Sequence, residues 1–234
     1  MELSKRLASV ASLVREGALA ADVGTDHGYV PIYLAQTGKC RHIIAMDVNP
    51  GPLLRASEHI REHGLNHRIE TRLSDGLKAL RTGEADTMIA AGMGGGLVIR
   101  ILEESPEIVK EIQEFILQPQ SEIHKVRAYL SQTGFRLAEE KMIEEEGKFY
   151  PVMKWIHGKE PAYSEPELYY GRKLLADRDL VLYQFLVREE GRMESIYQRL
   201  KEQSGEGARR RLREIDRELV RLRQAMALYQ HCFA

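Results

Sequence analysis

The chain has 234 residues, 43% hydrophobic and 29% charged, with a formal net charge of −1. That is the composition of an ordinary globular protein, long enough for one domain of about 150 residues plus an appendage. It excludes a globally basic nucleic-acid binder, leaving only a local basic patch. No stretch approaches the roughly 20 apolar residues of a membrane span. Met1-Glu2-Leu3-Ser4-Lys5-Arg6 has no signal-peptide core, and Cys40 and Cys232 lack metal-ligand spacing and read as packing or surface residues. The expectation is a cytoplasmic protein with no membrane and no metal.

Leu3, Leu7, Val10, Leu13 and Val14 recur at spacings of three and four and predict a short amphipathic helix ended by Gly17. Residues 18–23 predict a first strand that breaks into Gly24-Thr25-Asp26-His27-Gly28, and 29–35 reads as a helix behind that turn. A second strand, 41–47, ends in Asp47, and Pro50, Gly51 and Pro52 open a helix to about residue 63. A third strand, 68–73, ends in Ser74-Asp75-Gly76. A fourth, 85–91, runs into Gly92-Met93-Gly94-Gly95-Gly96 and a helix through Leu102. Residues 115–117 make a fifth strand stopped by Gln118-Pro119-Gln120, 121–132 a helix, and 134–144 and 148–156 two strands about a Glu-Glu-Gly turn. Alternating strands and helices imply a parallel sheet covered on both faces. The last two strands are joined too closely for a parallel crossover, so they form an antiparallel hairpin in a seven-stranded doubly wound sheet.

Gly158-Lys159-Glu160-Pro161-Ala162 reads as a linker, giving domains 1–158 and 163–234. Ser164-Glu165-Pro166-Glu167 is a capping box, expected to start one long helix to about residue 203 with a stripe of Leu175, Leu182, Leu186, Met193, Ile196 and Leu200. Ser204-Gly205-Glu206-Gly207 breaks it. A second helix carries Leu212, Ile215, Leu219, Leu222, Met226 and Tyr229 in three-four alternation, the seam of an antiparallel coiled-coil hairpin.

The chemistry gathers at four strand ends: 22–28, Asp47, Asp75-Gly76 and 92–96. Open α/β sheets bind ligands outside the carboxyl ends of their strands. Gly24 and Gly28 are spaced Gly-x-x-x-Gly, not in the dinucleotide fingerprint, and Asp22 and Asp26 add two acids. Acids repel a pyrophosphate and attract an ammonium, which favours S-adenosylmethionine over NAD. Asp47 suits a ribose diol and Asp75-Gly76 an adenine edge; each is also compatible with a plain cap or turn. The cofactor set is Asp22, Gly24, Thr25, Gly28, Asp47, Val48, Asp75, Gly76 and Gly92.

From Glu2 to about Ile156 the chain resembles a Rossmann-like class I methyltransferase. The segments 3–7, 21–31, Gly92-Met93-Gly94-Gly95 and Leu117-Gln118-Pro119 resemble more narrowly the TrmK family, bacterial tRNA methyltransferases acting on N1 of adenine 22, and the C-terminal hairpin also fits that family. The resemblance implies methyl transfer to adenine N1 in tRNA, with the base exposed or flipped into the site. Asp26 is then expected to stabilise the cationic product, His27 and Tyr29 to orient or stack on the base, and Met93 and Gly94 to shape the acceptor pocket, with Gln118 and Pro119 on its far wall. No Asn-Pro-Pro-Tyr sequence of the amino-methylating kind is present; Met93-Gly94 stands in its place.

Arginines cluster at 209–211, 213, 217, 221 and 223, and further basic residues lie at 172–201, interspersed with Glu and Asp. They read as a solvated ion-paired face, or, given the resemblance, as an arm that grips tRNA phosphates. The alternatives are a methyltransferase of another substrate, a non-catalytic RNA-binding scaffold and, weakest, an NAD-dependent reductase. A monomer or weak homodimer is expected, since the seam can close within or between chains.

Overall fold

A computed structural model describes residues 1–203 and 205–229. The chain divides into two compact units between Ala162 and Tyr163. The first contains α1 (Lys5–Leu13), β1 (Ala18–Val23), α2 (Tyr29–Gln36), β2 (Cys40–Asp47), α3 (Pro50–Glu62), β3 (Ile69–Leu73), β4 (Thr87–Ala91), α4 (Gly95–Glu103), α5 (Pro106–Glu111), β5 (Glu114–Gln118), α6 (Ile123–Gln132), β6 (Phe135–Glu145) and β7 (Lys148–His157). The strands form one sheet in the order β3-β2-β1-β4-β5-β7-β6. The first five are parallel, and β7 inserts antiparallel between β5 and β6.

The central strands are near-continuous apolar runs because helices cover both faces. In β4 and β5, Met88, Ile89, Phe115, Ile116 and Leu117 are all fully buried. Trp155 of β7 pairs in register with Phe115 and is fully buried too. Removing such side chains from water contributes on the order of 1.5–3 kcal/mol each. Arg127 of α6 and Glu140 of β6 form a buried ion pair at 2.9 Å, fixing the outer strand to its covering helix. Breaking one partner of such a pair would cost about 3–5 kcal/mol. Cys40 packs in the core, its thiol pushed up to about 12 by burial, which makes it inert. Cys232 lies outside the described residues.

One short element went unread in the sequence. Ser105-Pro106 starts α5, with the proline in the first turn, where its missing N–H costs no helical bond.

The second unit corrects the expectation of one long helix from residue 164. Three helices stand there: α7 (Glu165–Tyr170), α8 (Arg172–Ala176) and α9 (Leu180–Lys201). Gly171, at φ 102°, makes the first break, and Arg178, at φ 53°, the second. Asp179 then restarts the helix by accepting from the Leu182 N–H at 2.8 Å. The capping box at Ser164 and Glu167 is present. Gly207, expected in the break, belongs to α10 (Glu206–Ala227), and Ser204 lies outside the described residues. α9 and α10 form an antiparallel pair: Tyr229 donates its hydroxyl to the Asp179 carbonyl at 3.1 Å, and Arg223 reaches Glu190 and Glu194. Leu182, Leu186, Ile215, Leu219 and Leu222 bury the seam.

Candidate active site

The carboxyl ends of β1, β4 and β5 open on a cleft of 860 Å³. Asp22, Gly24, Thr25, Ala91 and Gly92 line it from the sheet, and Asp26, His27 and Tyr29 from the glycine turn. Residues of the N-terminal segment, Gln120, and Glu145, Glu146 and Tyr150 of the β6–β7 hairpin complete it.

The turn is held by its backbone. Gly24 and Thr25 donate their N–H groups to the Met46 carbonyl at 2.8 and 2.9 Å. Asp47 accepts from the Asp26 N–H at 3.3 Å and the Asn49 N–H at 2.9 Å, joining the turn to the start of α3. Gly24 and Gly28 both have φ near +74°, where a side chain is strained, and a Cβ on Gly28 would also press on Ala56 at 3.3 Å. Asp26 adopts φ 52° without being glycine.

The two acids of this turn differ in environment. Asp22 is buried, and burial pushes its carboxyl up to about 6; the Thr25 hydroxyl pulls the other way and the Asp47 charge adds to the rise. His27 Nδ1 is buried without a partner at hydrogen-bond distance among the described residues. Asp26 is 63% exposed, with Arg55 at 3.6 Å and His27 Nε2 at 3.7 Å. A buried, reluctantly ionised carboxylate suits a cation and would repel a pyrophosphate. With the Thr25 hydroxyl beside it, this acid fits the ammonium and sulfonium end of S-adenosylmethionine.

Other expected residues lie around the cleft rather than on its lining. Val48 and Leu73 stand uncovered at the ends of β2 and β3, an apolar ledge next to Asp47. The Asp75 carboxylate is engaged by Lys78 at 2.6 Å and Arg100 at 3.7 Å, and the Lys78 bond holds it below the usual carboxylate range. Gly76 has φ 63°, and a Cβ there would meet Ile101 at 2.9 Å, so close helix packing requires glycine. Met93 lays its methyl 3.1 Å from where a Gly24 Cβ would be. Gly94 begins α4 beside Ser121, and a Cβ on Gly95 would meet the Ser121 carbonyl at 2.6 Å. Gln118 and Pro119 are buried, and Gln118 faces the cleft only through Arg6, whose Nη1 donates to its Oε1 at 2.8 Å.

Arg6 was missed as a site residue. Its guanidinium lies 5.5 Å from the Tyr150 ring centroid, and the neighbouring Lys5 N–H donates to Glu145 at 2.6 Å. In the sequence, residues 3–7 read as part of a helix, and only their likeness to a family motif hints at more. Gln120, Glu145, Glu146 and Tyr150 gave no sequence signal; the insertion of β7 beside β5 brings the hairpin to the cleft. Among the described residues, no group of His, Cys, Asp and Glu could hold a metal ion, and no helix is long and apolar enough to cross a membrane.

Comparison with known proteins agrees with this geometry. Residues 3–153 match the family model described as a methyltransferase domain. The tRNA (adenine(22)-N(1))-methyltransferase of Bacillus subtilis (strain 168) is 34% identical over 205 residues, 86% of this chain and 86% of its own length. The structure of Streptococcus pneumoniae Sp1610 in complex with S-adenosyl-L-methionine superposes with a TM-score of 0.86 at 31% identity, covering 96% of this chain and 99% of that one. TrmK of M. capricolum, in complex with S-adenosyl-homocysteine, superposes with a TM-score of 0.85 at 25% identity, covering 97% and 99%. Identity at this level along nearly the whole chain, on the same sheet and helical hairpin, means that the chain belongs to the TrmK family of tRNA (adenine(22)-N1)-methyltransferases.

Proposed function

We propose that this protein methylates N1 of an adenine in tRNA, at position 22, using S-adenosylmethionine. The observation that carries the reading is the buried Asp22 carboxyl on the cleft floor, in a chain 34% identical to an enzyme named for that reaction. Bound S-adenosylmethionine supplies an electrophilic methyl group on a sulfonium. Asp22, Gly24 and Thr25 would hold its amino-acid end, Asp47 its ribose, and Val48, Asp75 and Gly76 its adenine, with Gly28 and Gly92 shaping the backbone around it. Asp26, His27 and Tyr29 face the acceptor, and Met93, Gly94, Gln118 and Pro119 frame that side.

Adenine N1 is a Watson–Crick atom, so the base must leave any pair before it enters the cleft. Methylation leaves positive charge on the ring. The Asp26 carboxylate, carried on the turn and without a hydrogen bond among the described residues, would stabilise that charge as it develops. The other acceptor-side groups contribute position, which can account for many orders of magnitude in rate.

The helical unit supplies phosphate contacts in this reading. Most of its arginines are spent on internal pairs: Arg211 on Glu214 and Glu218, Arg221 on Glu165, Arg223 on Glu190 and Glu194. Arg209, Arg213 and Arg217 are exposed and have no acidic partner among the described residues. At i, i+4 and i+8 they share one face of α10, opposite the seam, and form the stripe offered to RNA. The seam closes within one chain, which supports a monomer; sedimentation velocity would test the state.

The decisive experiment is methyl transfer to unmodified tRNA followed by nucleoside analysis. N1-methyladenosine is expected; N6-methyladenosine or a methylguanosine as primary product would refute the proposal.

A further inference from the structure

One aromatic cluster extends beyond the residues assigned above. The rings of His27, Tyr29 and His59 have centroids 5.3, 5.8 and 5.8 Å apart, with planes within 19° of parallel. In a pile of three rings the outer two would stand roughly twice the neighbour spacing apart. These three are mutually equidistant, so they make a terrace of offset, nearly parallel faces. His27 and Tyr29 line the cleft, and His59, on α3, carries the terrace outside it. Tyr29 is 41% exposed.

Chemistry at the edge of the terrace is equally specific. His59 Nδ1 lies 3.0 Å from the His27 carbonyl, which can only accept, so this nitrogen carries the proton and Nε2 points elsewhere. Arg55 lies one turn before His59 on the same face of α3, half exposed and 3.6 Å from Asp26. Parallel ring faces beside an accessible guanidinium are the elements that bind single-stranded nucleic acid: a sequence-tolerant platform for a base and a cation for its phosphate. A base seated in the cleft covers the inner rings at most.

We infer that His59 and Arg55, with the outer faces of His27 and Tyr29, bind the nucleotide adjoining the target adenine, its base on the terrace and its phosphate at Arg55. This rests on the tRNA reading above. It adds a second nucleotide subsite that holds the strand open while the target base is turned in, since an unstacked neighbour needs a new surface to cover it.

The test compares an unmodified substrate tRNA transcript with transcripts abasic on the 5′ or the 3′ side of the target adenine. Each is measured on the wild-type chain and on His59→Ala, His59→Phe and Arg55→Ala, reading the tRNA dissociation constant and single-turnover product separately. On the wild type, one abasic transcript should bind roughly five- to hundredfold more weakly, and which one identifies the stacked neighbour. His59→Ala should weaken the intact transcript by a similar factor and the abasic one no further. His59→Phe should recover most of the loss, because it keeps the ring face while losing the bond to His27. Arg55→Ala should lower the slope of log K against log salt by about 0.7–0.9.

Losses that simply add, or a Phe variant no better than Ala, would overturn the inference and leave His59 as a prop for the His27 loop. The abasic arm on the wild type needs no variant to fold; equal binding of all three transcripts would also overturn it. Coupled losses with a product other than N1-methyladenosine would refute the proposed reaction and leave the subsite standing. N1-methyladenosine with uncoupled losses would do the reverse.

Discussion

Asp22→Asn tests the electrostatics of the cleft floor. Burial raises the Asp22 carboxyl from 3.8 to about 6, so keeping it ionised in the folded, ligand-free chain costs about 3 kcal/mol. Between these values the folded state holds a proton that the unfolded state has lost, so this group's contribution to stability falls as pH rises. Going from pH 7 to pH 5 should therefore gain the wild type about 1.4 kcal/mol from this site, and the full amount should appear below pH 4. Asparagine has no such titration. At pH 7 the ligand-free variant should be more stable by up to about 3 kcal/mol, or roughly 6–12 °C in Tm for a chain of this size. At pH 5 the gap should narrow by about half. The same change should weaken S-adenosylmethionine binding, because the cation loses its counter-charge, and wild-type affinity should fall as pH drops below about 6. Thermal melts of both chains at pH 5, 6 and 7, with calorimetric titration of the cofactor, read all of this. A melting difference independent of pH, or a variant that binds cofactor as well as the wild type, would sink the account.

Three further outcomes are expected. Arg6→Ala leaves the Gln118 amide oxygen buried without its donor and should cost about 1–3 kcal/mol in urea unfolding; adding Gln118→Leu should restore most of it, and no recovery would mean that Arg6 acts mainly through Tyr150. Replacing Arg209, Arg213 and Arg217 together by alanine should lower the salt slope of tRNA binding by about 2–3, while cofactor affinity stays the same; an unchanged slope would remove this stripe from the interface. Asp26→Gly suits the φ of 52°, so stability should hold or rise by several tenths of a kcal/mol while turnover falls far more than cofactor affinity; equal losses of both would make Asp26 a cofactor ligand.

The order of strands and helices up to Ile156 was legible because each strand is a short apolar run and each turn is marked by glycine, proline or aspartate. Part of the cleft lining was legible for the same reason: Asp22 stands near the end of β1, and Gly24 and Thr25 follow the strand directly. What stayed hidden depends on long-range placement. Arg6, Gln120, Glu145 and Tyr150 reach the cleft through sheet order, above all the insertion of β7, and single-sequence periodicity carries no information on which edge a hairpin joins. The break at Asp179 was legible in principle: an aspartate ahead of Leu180-Val181-Leu182 is a helix start, but the apolar spacing runs through it and masked the signal. Neither His59 nor Arg55 carries a signal in the sequence of α3; the contacts of His59 with His27 and Tyr29 and of Arg55 with Asp26 distinguish them.

The conformation of Asp26 bears on what its carboxylate is for. A non-glycine residue at φ 52° carries a penalty of about 1 kcal/mol relative to glycine, smallest for aspartate and asparagine, whose side chains can bond locally. Here that local compensation is absent. The carboxylate accepts no hydrogen bond among the described residues, and its nearest basic neighbours, Arg55 and His27, stand at 3.6 and 3.7 Å. The turn is closed by other groups: Gly24 and Thr25 on the Met46 carbonyl, and the Asp26 N–H on Asp47. Glycine at position 26 would make all of these bonds with less strain. The side chain therefore adds nothing to the turn that the backbone needs, which fits the role proposed for it toward what enters the cleft. Asp22 is buried against the floor, where a ligand's positive charge is met on binding; Asp26 is exposed beside the aromatic terrace, where charge would arrive during reaction. Under the proposed function that separation gives the two acids of one loop two different partners, and it is the reason to expect their variants to split, one on affinity and the other on turnover.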